Sequence, residues 1–116
     1  MKKLVVVLAM LALNVQAKAG DMTGNQFLAI YENQPMQAAR YLEGLIDGMV
    51  TLHAVKTNNP TDKTLRFGDV CAPANATMGQ FLAVAVKHLK DDPKNLHMNA
   101  SVLLYFAFEQ AWPCKK

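Results

Sequence analysis

The chain has two cysteines, and one of them stands almost at its end. Cys71 lies well inside the sequence, whereas Cys114 follows a proline and is the third residue from the C-terminus. A reactive thiol needs surroundings that lower its pKa, and a tail is a poor place for them. A disulfide at this position, by contrast, can fasten the end of the last structural element to the rest of the fold. A disulfide between these two residues would constrain any fold that the chain adopts.

Residues 1–19 have the pattern of an export signal. Lys2 and Lys3 precede an apolar run at residues 4–13, and Ala17 and Ala19 supply the small residues of a cleavage site. The run is too short to span a bilayer, which takes about 20 residues. Cleavage is expected near Ala19, with Ala17 as the alternative, so that residues 20–116 form the mature chain, without a membrane span. In an oxidising compartment, two cysteines usually pair.

Export also changes the charge of the chain. Three of its twelve basic residues leave with the signal, while all nine acidic residues remain, so the mature formal charge is zero. A neutral chain lacks the basic footprint of a nucleic-acid-binding protein. We therefore expect no nucleic-acid partner, and the mature length predicts a single domain.

Four stretches carry helical signals, at residues 23–33, 35–56, 77–90 and from the mid-nineties to about residue 112. Pro35 suits a first helical turn, and Thr77 with Gln80 forms a capping box. Residues 57–70 include a proline and a glycine with little periodicity, which predicts a long loop. The expected fold is all-α: a small bundle of about four helices with one disulfide and a long loop between helices two and three.

The short turn around residues 91–93 makes the last two helices antiparallel, so the start of the third lies near the end of the fourth. This arrangement places Cys71 near Cys114 and predicts a disulfide that closes the hairpin, the alternative being two free thiols. Closing a loop of this size stabilises by roughly 4 kcal/mol on the chain-entropy account.

Two features indicate a contact surface. The fourth helix is apolar nearly all round, which fits a central helix or one that shares a face with a partner. Gly44 and Gly48 lie together opposite the apolar arc of the second helix, although each costs roughly 1 kcal/mol in a helix interior. They form a candidate close-packing face, either for the chain's own first helix or long loop, or for a second subunit.

Catalytic chemistry finds little support. The only serine, Ser101, lies within the apolar fourth helix, and both cysteines are assigned to the disulfide, which disfavours a small hydrolase. Glu43 and Asp47 have helical spacing, but with Arg40 they fit a solvated charged face better than an acid–base pair. We therefore expect no catalytic residue and no enzyme activity.

Histidines give no metal site either. His53, His88 and His97 lack the spacing of a helical ligand pair. His53 and His88 fall within the apolar arcs of their helices and are expected to be buried and neutral. We predict no metal and no other cofactor.

An ordered set of motifs resembles the Rap/Tai immunity proteins, which protect bacteria from type VI secretion amidases that cut peptidoglycan. The motifs are Thr23-Gly24-Asn25, Gly44-Leu45-Ile46-Asp47-Gly48, Cys71-x-Pro73, Thr77-x-x-Gln80, His88-Leu89, Asp92-Pro93, His97 and Trp112-Pro113-Cys114. The resemblance covers nearly the whole mature chain. One departure is that many members carry a second cysteine pair, at positions held here by Tyr31 and by Leu42 or its neighbour.

The resemblance implies a periplasmic homodimer that binds a cognate peptidoglycan amidase effector and occludes its catalytic groove. Such an inhibitor needs a protruding segment on a rigid scaffold. We favour the turn that contains Asp91, Asp92, Lys94 and Asn95 as the effector contact, with the long loop at residues 57–67 as the alternative. The main rival function is a periplasmic acid-stress chaperone, which would be of the same small helical type.

Overall fold

The structure, a computed structural model, describes residues 22–59 and 64–115. The predicted signal peptide lies outside these residues. The elements are α1 (Gly24–Asn33), α2 (Pro35–Lys56), β1 (Leu65–Phe67), β2 (Val70–Ala72), α3 (Met78–Asp91), a single 3₁₀ turn (Pro93–Asn95) and α4 (Ala100–Ala111). The four predicted helices are therefore present, and a two-stranded antiparallel sheet is added.

The helix starts follow the local sequence. Thr23 and Thr77 cap α1 and α3, and in each capping box the N–H of the glutamine three residues on donates to the threonine hydroxyl, at 3.2 Å. Pro35 occupies the first turn of α2, where a helix needs no donor at that position. Only Gln34 separates α1 from α2, so the chain must turn sharply between them.

The prediction of an entirely α-helical fold is wrong at one place. The segment expected to be a plain loop contains β1 and the turn of a β-hairpin, in which Phe67 pairs with Val70 across Gly68 and Asp69. Gly68 has φ +55° at the first central position, as in a type II′ turn, and the Tyr105 hydroxyl accepts a hydrogen bond from the Asp69 N–H at 3.0 Å. Strands of three residues are too short to produce a readable alternation, which is why the sequence did not reveal them.

The hairpin receives the C-terminus as well. The predicted disulfide between Cys71 and Cys114 is present, with the two Cα atoms 4.9 Å apart. The Cys71 N–H donates to the Trp112 carbonyl at 2.8 Å, and the Cys114 N–H donates to the Asp69 carbonyl at 3.1 Å. Pro113 lies between Trp112 and Cys114 and is paired with Val70. This is a non-hydrogen-bonded pair of the antiparallel ladder, so the N–H that proline lacks is not needed there.

Aromatic side chains fill the centre of the core. The Phe108 ring lies 5.1 Å from that of Phe81, 6.3 Å from that of Phe67 and 6.3 Å from that of Trp112, between ring centroids. Phe81 also meets Trp112 at 4.9 Å. This cluster joins α3, α4, β1 and the disulfide-linked C-terminus. At the other end, Phe27 of α1 packs on Tyr41 of α2, at 5.8 Å.

Hydrophobic packing holds α1 to α2 at the positions where the resemblance implies a second cysteine pair in many family members. Leu42, at or next to one of those positions, is fully buried, and Tyr31, at the other, is half-buried against the core. In this chain, hydrophobic packing rather than a disulfide therefore joins the two helices at these positions.

Candidate binding surfaces

The turn at residues 91–95 is built from two kinds of side chain. Asp92 accepts a hydrogen bond from the Asn95 side-chain amide at 2.8 Å, and both residues are half-buried. Asp91 and Lys94 are exposed, and Asp91 receives a hydrogen bond from Lys87 at 2.6 Å. Of the four predicted contact residues, Asp92 and Asn95 therefore brace the turn, while Asp91 and Lys94 are available to a partner.

The chain that follows this turn is anchored to α1. The N–H of Gly24 donates to the Met98 carbonyl and that of Asn25 to the Leu96 carbonyl, each at 3.0 Å. These bonds occupy donors that the start of a helix would otherwise leave unsatisfied. Gly24 permits the approach, because a Cβ there would lie 2.8 Å from Leu103 Cδ1. The turn thus projects from a fixed base. The alternative contact, the loop at residues 57–67, lies partly outside the described residues.

One face of α2 is open. A Cβ added to Gly44 or Gly48 would meet nothing within 4 Å, so the described chain does not pack against these glycines. Among the described residues, neither the first helix nor residues 57–59 and 64–70 of the loop come within this distance of the two glycines, and contact with a second subunit, the other sequence-based interpretation, stays a prediction. Val55 continues the same face and is exposed. The α2 face, which we define as Gly44, Gly48, Thr51 and Val55, is available to another molecule.

A second exposed stripe follows α4. Leu103, Leu104, Ala107 and Phe108 are buried, which explains most of the apolar content of this helix. Val102 and Phe106 are nevertheless exposed on α4 at a spacing of four residues, and Met98, two residues before the helix begins, is exposed as well. We call these three residues the α4 stripe. It begins three residues after Asn95, so it extends from the 91–95 turn along the helix.

A groove lies beside the α4 stripe, between α2 and the hairpin turn. It has a volume of about 250 Å³ and is lined by Met49, Leu52, His53, Lys56, Phe67, Gly68 and Tyr105. The α2 residues recur at three- and four-residue intervals and so share one side of the helix. Phe67 and Tyr105 supply aromatic surface, whereas His53 and Lys56 supply the polar atoms.

The candidate catalytic and metal residues are not brought together. His53 and His88 are half-buried rather than buried, because each lines an open groove, and His97 is exposed. Glu43 and Asp47 are exposed on α2, and Ser101 is half-buried. Within residues 22–59 and 64–115, no group of three histidine, cysteine or acidic residues could hold a metal ion.

Among the described residues, Tyr41 is the group whose pKa is shifted: burial raises it above its ordinary value of 10.0. Tyr41 flanks the α2 face, and its ring packs on Phe27. Tyr41 is half-buried, and this ring contact joins α2 to α1.

The architecture is that of a small, disulfide-linked helical protein. Its candidate functional features are the exposed surfaces described above, which are suited to binding another molecule. A family model of Rap1a immunity proteins matches residues 23–114. The chain belongs to the Rap1a immunity protein family, which confirms the resemblance seen in its motifs. The match begins at the capping threonine of α1 and ends at the second cysteine of the disulfide.

No curated protein and no solved structure matches the chain. Among the helices of the described residues, none combines the length and the apolar content that crossing a membrane requires.

Proposed function

We propose that this protein is a periplasmic immunity protein that binds a type VI secretion peptidoglycan amidase and blocks its catalytic groove without being an enzyme itself. Membership of the Rap1a immunity family carries the proposal, because immunity against a secreted effector is the role that the family name describes. The export pattern of residues 1–19 supports the compartment, since an enzyme that cuts the cell wall acts there.

The 91–95 turn supports the mode of inhibition. It is short, charged and fixed at both ends, by α3 before it and by the hydrogen bonds to α1 after it. A segment that is already ordered loses little conformational entropy on binding. Lys94 is its exposed cation, and the brace between Asp92 and Asn95 positions the backbone that carries it.

Lys94→Ala should weaken binding to the cognate amidase about tenfold, the size expected for an interface residue worth ~1.4 kcal/mol. Lys94 is exposed, so the thermal midpoint should stay the same. Calorimetry with the purified amidase measures the affinity, and lysis of cells that co-express both proteins in the periplasm measures protection.

Lys115→Ala is the matched control, because this lysine is also exposed but follows the disulfide at the other end of α4. Asp92→Ala should lower the thermal midpoint, since it breaks the bond to Asn95. Equal binding by the wild type and Lys94→Ala would remove the turn from the interface.

We also propose that the protein is a homodimer that uses the α2 face. Gly44 and Gly48 leave space into which a second helix can pack closely, and Val55 adds apolar area beside them. Small residues at a helix surface allow such close approach, and in a symmetric dimer both subunits present the same face.

Gly48→Leu should raise the dimer dissociation constant about tenfold or more, because the new side chain occupies the space that the second helix needs. Light scattering over a concentration series measures this, and the wild type should have twice the monomer mass at micromolar concentration. Gly79→Leu is the control, since Gly79 is also helical and exposed. A wild type that stays monomeric would contradict the dimer.

The rival function is an acid-stress chaperone. It gains support if the protein binds no amidase encoded beside it but prevents other proteins from aggregating at low pH. That pair of results would replace the immunity function.

A further inference from the structure

The groove between α2 and the hairpin turn differs from the other surfaces because it combines an apolar lining with a positively charged side chain, and this combination favours one kind of partner segment. Its floor and walls are apolar, with Met49, Leu52, Phe67 and Tyr105 among the seven lining residues. Leu52 is 56% exposed although it lies on a groove wall. At about 250 Å³ the groove is smaller than the ~300–1,000 Å³ of typical small-molecule sites, and its size suits one or two protein side chains.

The charged residue of the groove is Lys56. Among the described residues that line it, His53 and Tyr105 are the other titratable ones, and none carries a carboxylate. Glu43 and Asp47 of α2 are not among the lining residues, and neither is Asp69, which follows Gly68 in the turn. An apolar floor with a cationic rim is complementary to an apolar side chain that has a carboxylate next to it.

The α4 stripe connects the groove with the 91–95 turn. Met98, Val102 and Phe106 are exposed along this path, and the Phe106 ring lies 6.0 Å from that of Tyr105, which lines the groove. Tyr105 is five residues into α4, about 8 Å along the axis from Ala100. A single partner could therefore cover the turn, the stripe and the groove together.

We infer that the groove is a second docking site for the effector, and that it takes an effector segment in which an apolar side chain stands beside an Asp or Glu. The apolar side chain enters between Leu52 and Tyr105, and the carboxylate pairs with Lys56. This inference rests on the proposed function and adds to it the chemistry of the recognised segment.

The first test is binding of the purified amidase. Leu52→Glu places a carboxylate where the partner is acidic and should weaken binding more than tenfold, because like charges in an interface repel. Met36→Glu is the matched control: Met36 is an exposed α2 residue (68%) that does not line the groove. Both variants should keep the wild-type thermal midpoint, since both side chains are exposed in the wild type.

The second test identifies the segment. A carbodiimide joins an amine to a carboxylate that is in direct contact with it, and mass spectrometry of the cross-linked complex locates both ends. We expect Lys56 to be linked to an Asp or Glu of the amidase that has an apolar neighbour. A Lys56 linked only to carboxylates of this chain or of a second copy, or left unlinked, overturns the docking site.

The two proposals fail in different ways. A wild type that does not bind the amidase overturns the immunity function and the groove with it. A wild type that binds, with Leu52→Glu binding equally well, overturns the groove alone.

Discussion

Removing the Cys71–Cys114 disulfide is expected to lower the free energy of unfolding by about 4 kcal/mol. The two cysteines are 43 residues apart, and a link of that span restricts the unfolded chain by about this amount on the chain-entropy account. Single domains have ~5–15 kcal/mol of stability in all, so the reduced protein should be marginally stable.

Urea unfolding of the oxidised protein and of the Cys71→Ser/Cys114→Ser double variant measures the difference. The folded variant should keep its helical content, because α3 and α4 are joined by their own turn and by the aromatic cluster. The segment after Trp112 should lose amide protection first, since the bond from the Cys114 N–H to the Asp69 carbonyl is the backbone hydrogen bond that joins its described residues to the hairpin. If the free energy of unfolding falls by less than about 1 kcal/mol, the disulfide does not restrict the unfolded chain as the chain-entropy account expects.

Phe108→Ala is expected to destabilise by about 3–5 kcal/mol, the range for truncating a buried phenylalanine. Phe108 is 0% exposed, and its ring contacts three other aromatic rings. Its loss opens a cavity where α3, α4 and the hairpin meet. Chemical denaturation of the oxidised protein gives the value.

Phe106→Ala is the control for this prediction, because Phe106 is on the same helix two residues away and is 46% exposed. Its effect on unfolding should be about 0.5 kcal/mol or less, as for other surface substitutions. If the α4 stripe contacts the effector, the same substitution weakens amidase binding. If both substitutions lowered the free energy of unfolding by similar amounts, Phe106 and Phe108 would not differ in burial as they do in the structure.

The disulfide and the packing act at different places in the fold. The Cys71–Cys114 link joins the C-terminal segment to β2. The helices α1 and α2 are connected by one residue and are held together by packing through Phe27, Tyr41 and Leu42.

The sequence by itself determined the four helices and the disulfide. Helix starts are local: a capping threonine with its glutamine, or a proline in a first turn, acts on atoms a few residues away, so Thr77, Gln80 and Pro35 could be interpreted without a fold. The disulfide needed one further step, the antiparallel arrangement that a short turn imposes on α3 and α4. The motifs also contained enough order to indicate the family.

Only the tertiary structure decided what lies between and around these helices. The hairpin depends on Tyr105 and the C-terminal segment, which approach it from far along the chain, and three-residue strands have no signal of their own. Exposure was likewise decided by packing: Phe106 and Phe108 look alike in sequence, but one faces solvent and the other fills the core. The groove is assembled from α2, the hairpin turn and α4, so no local pattern could reveal it.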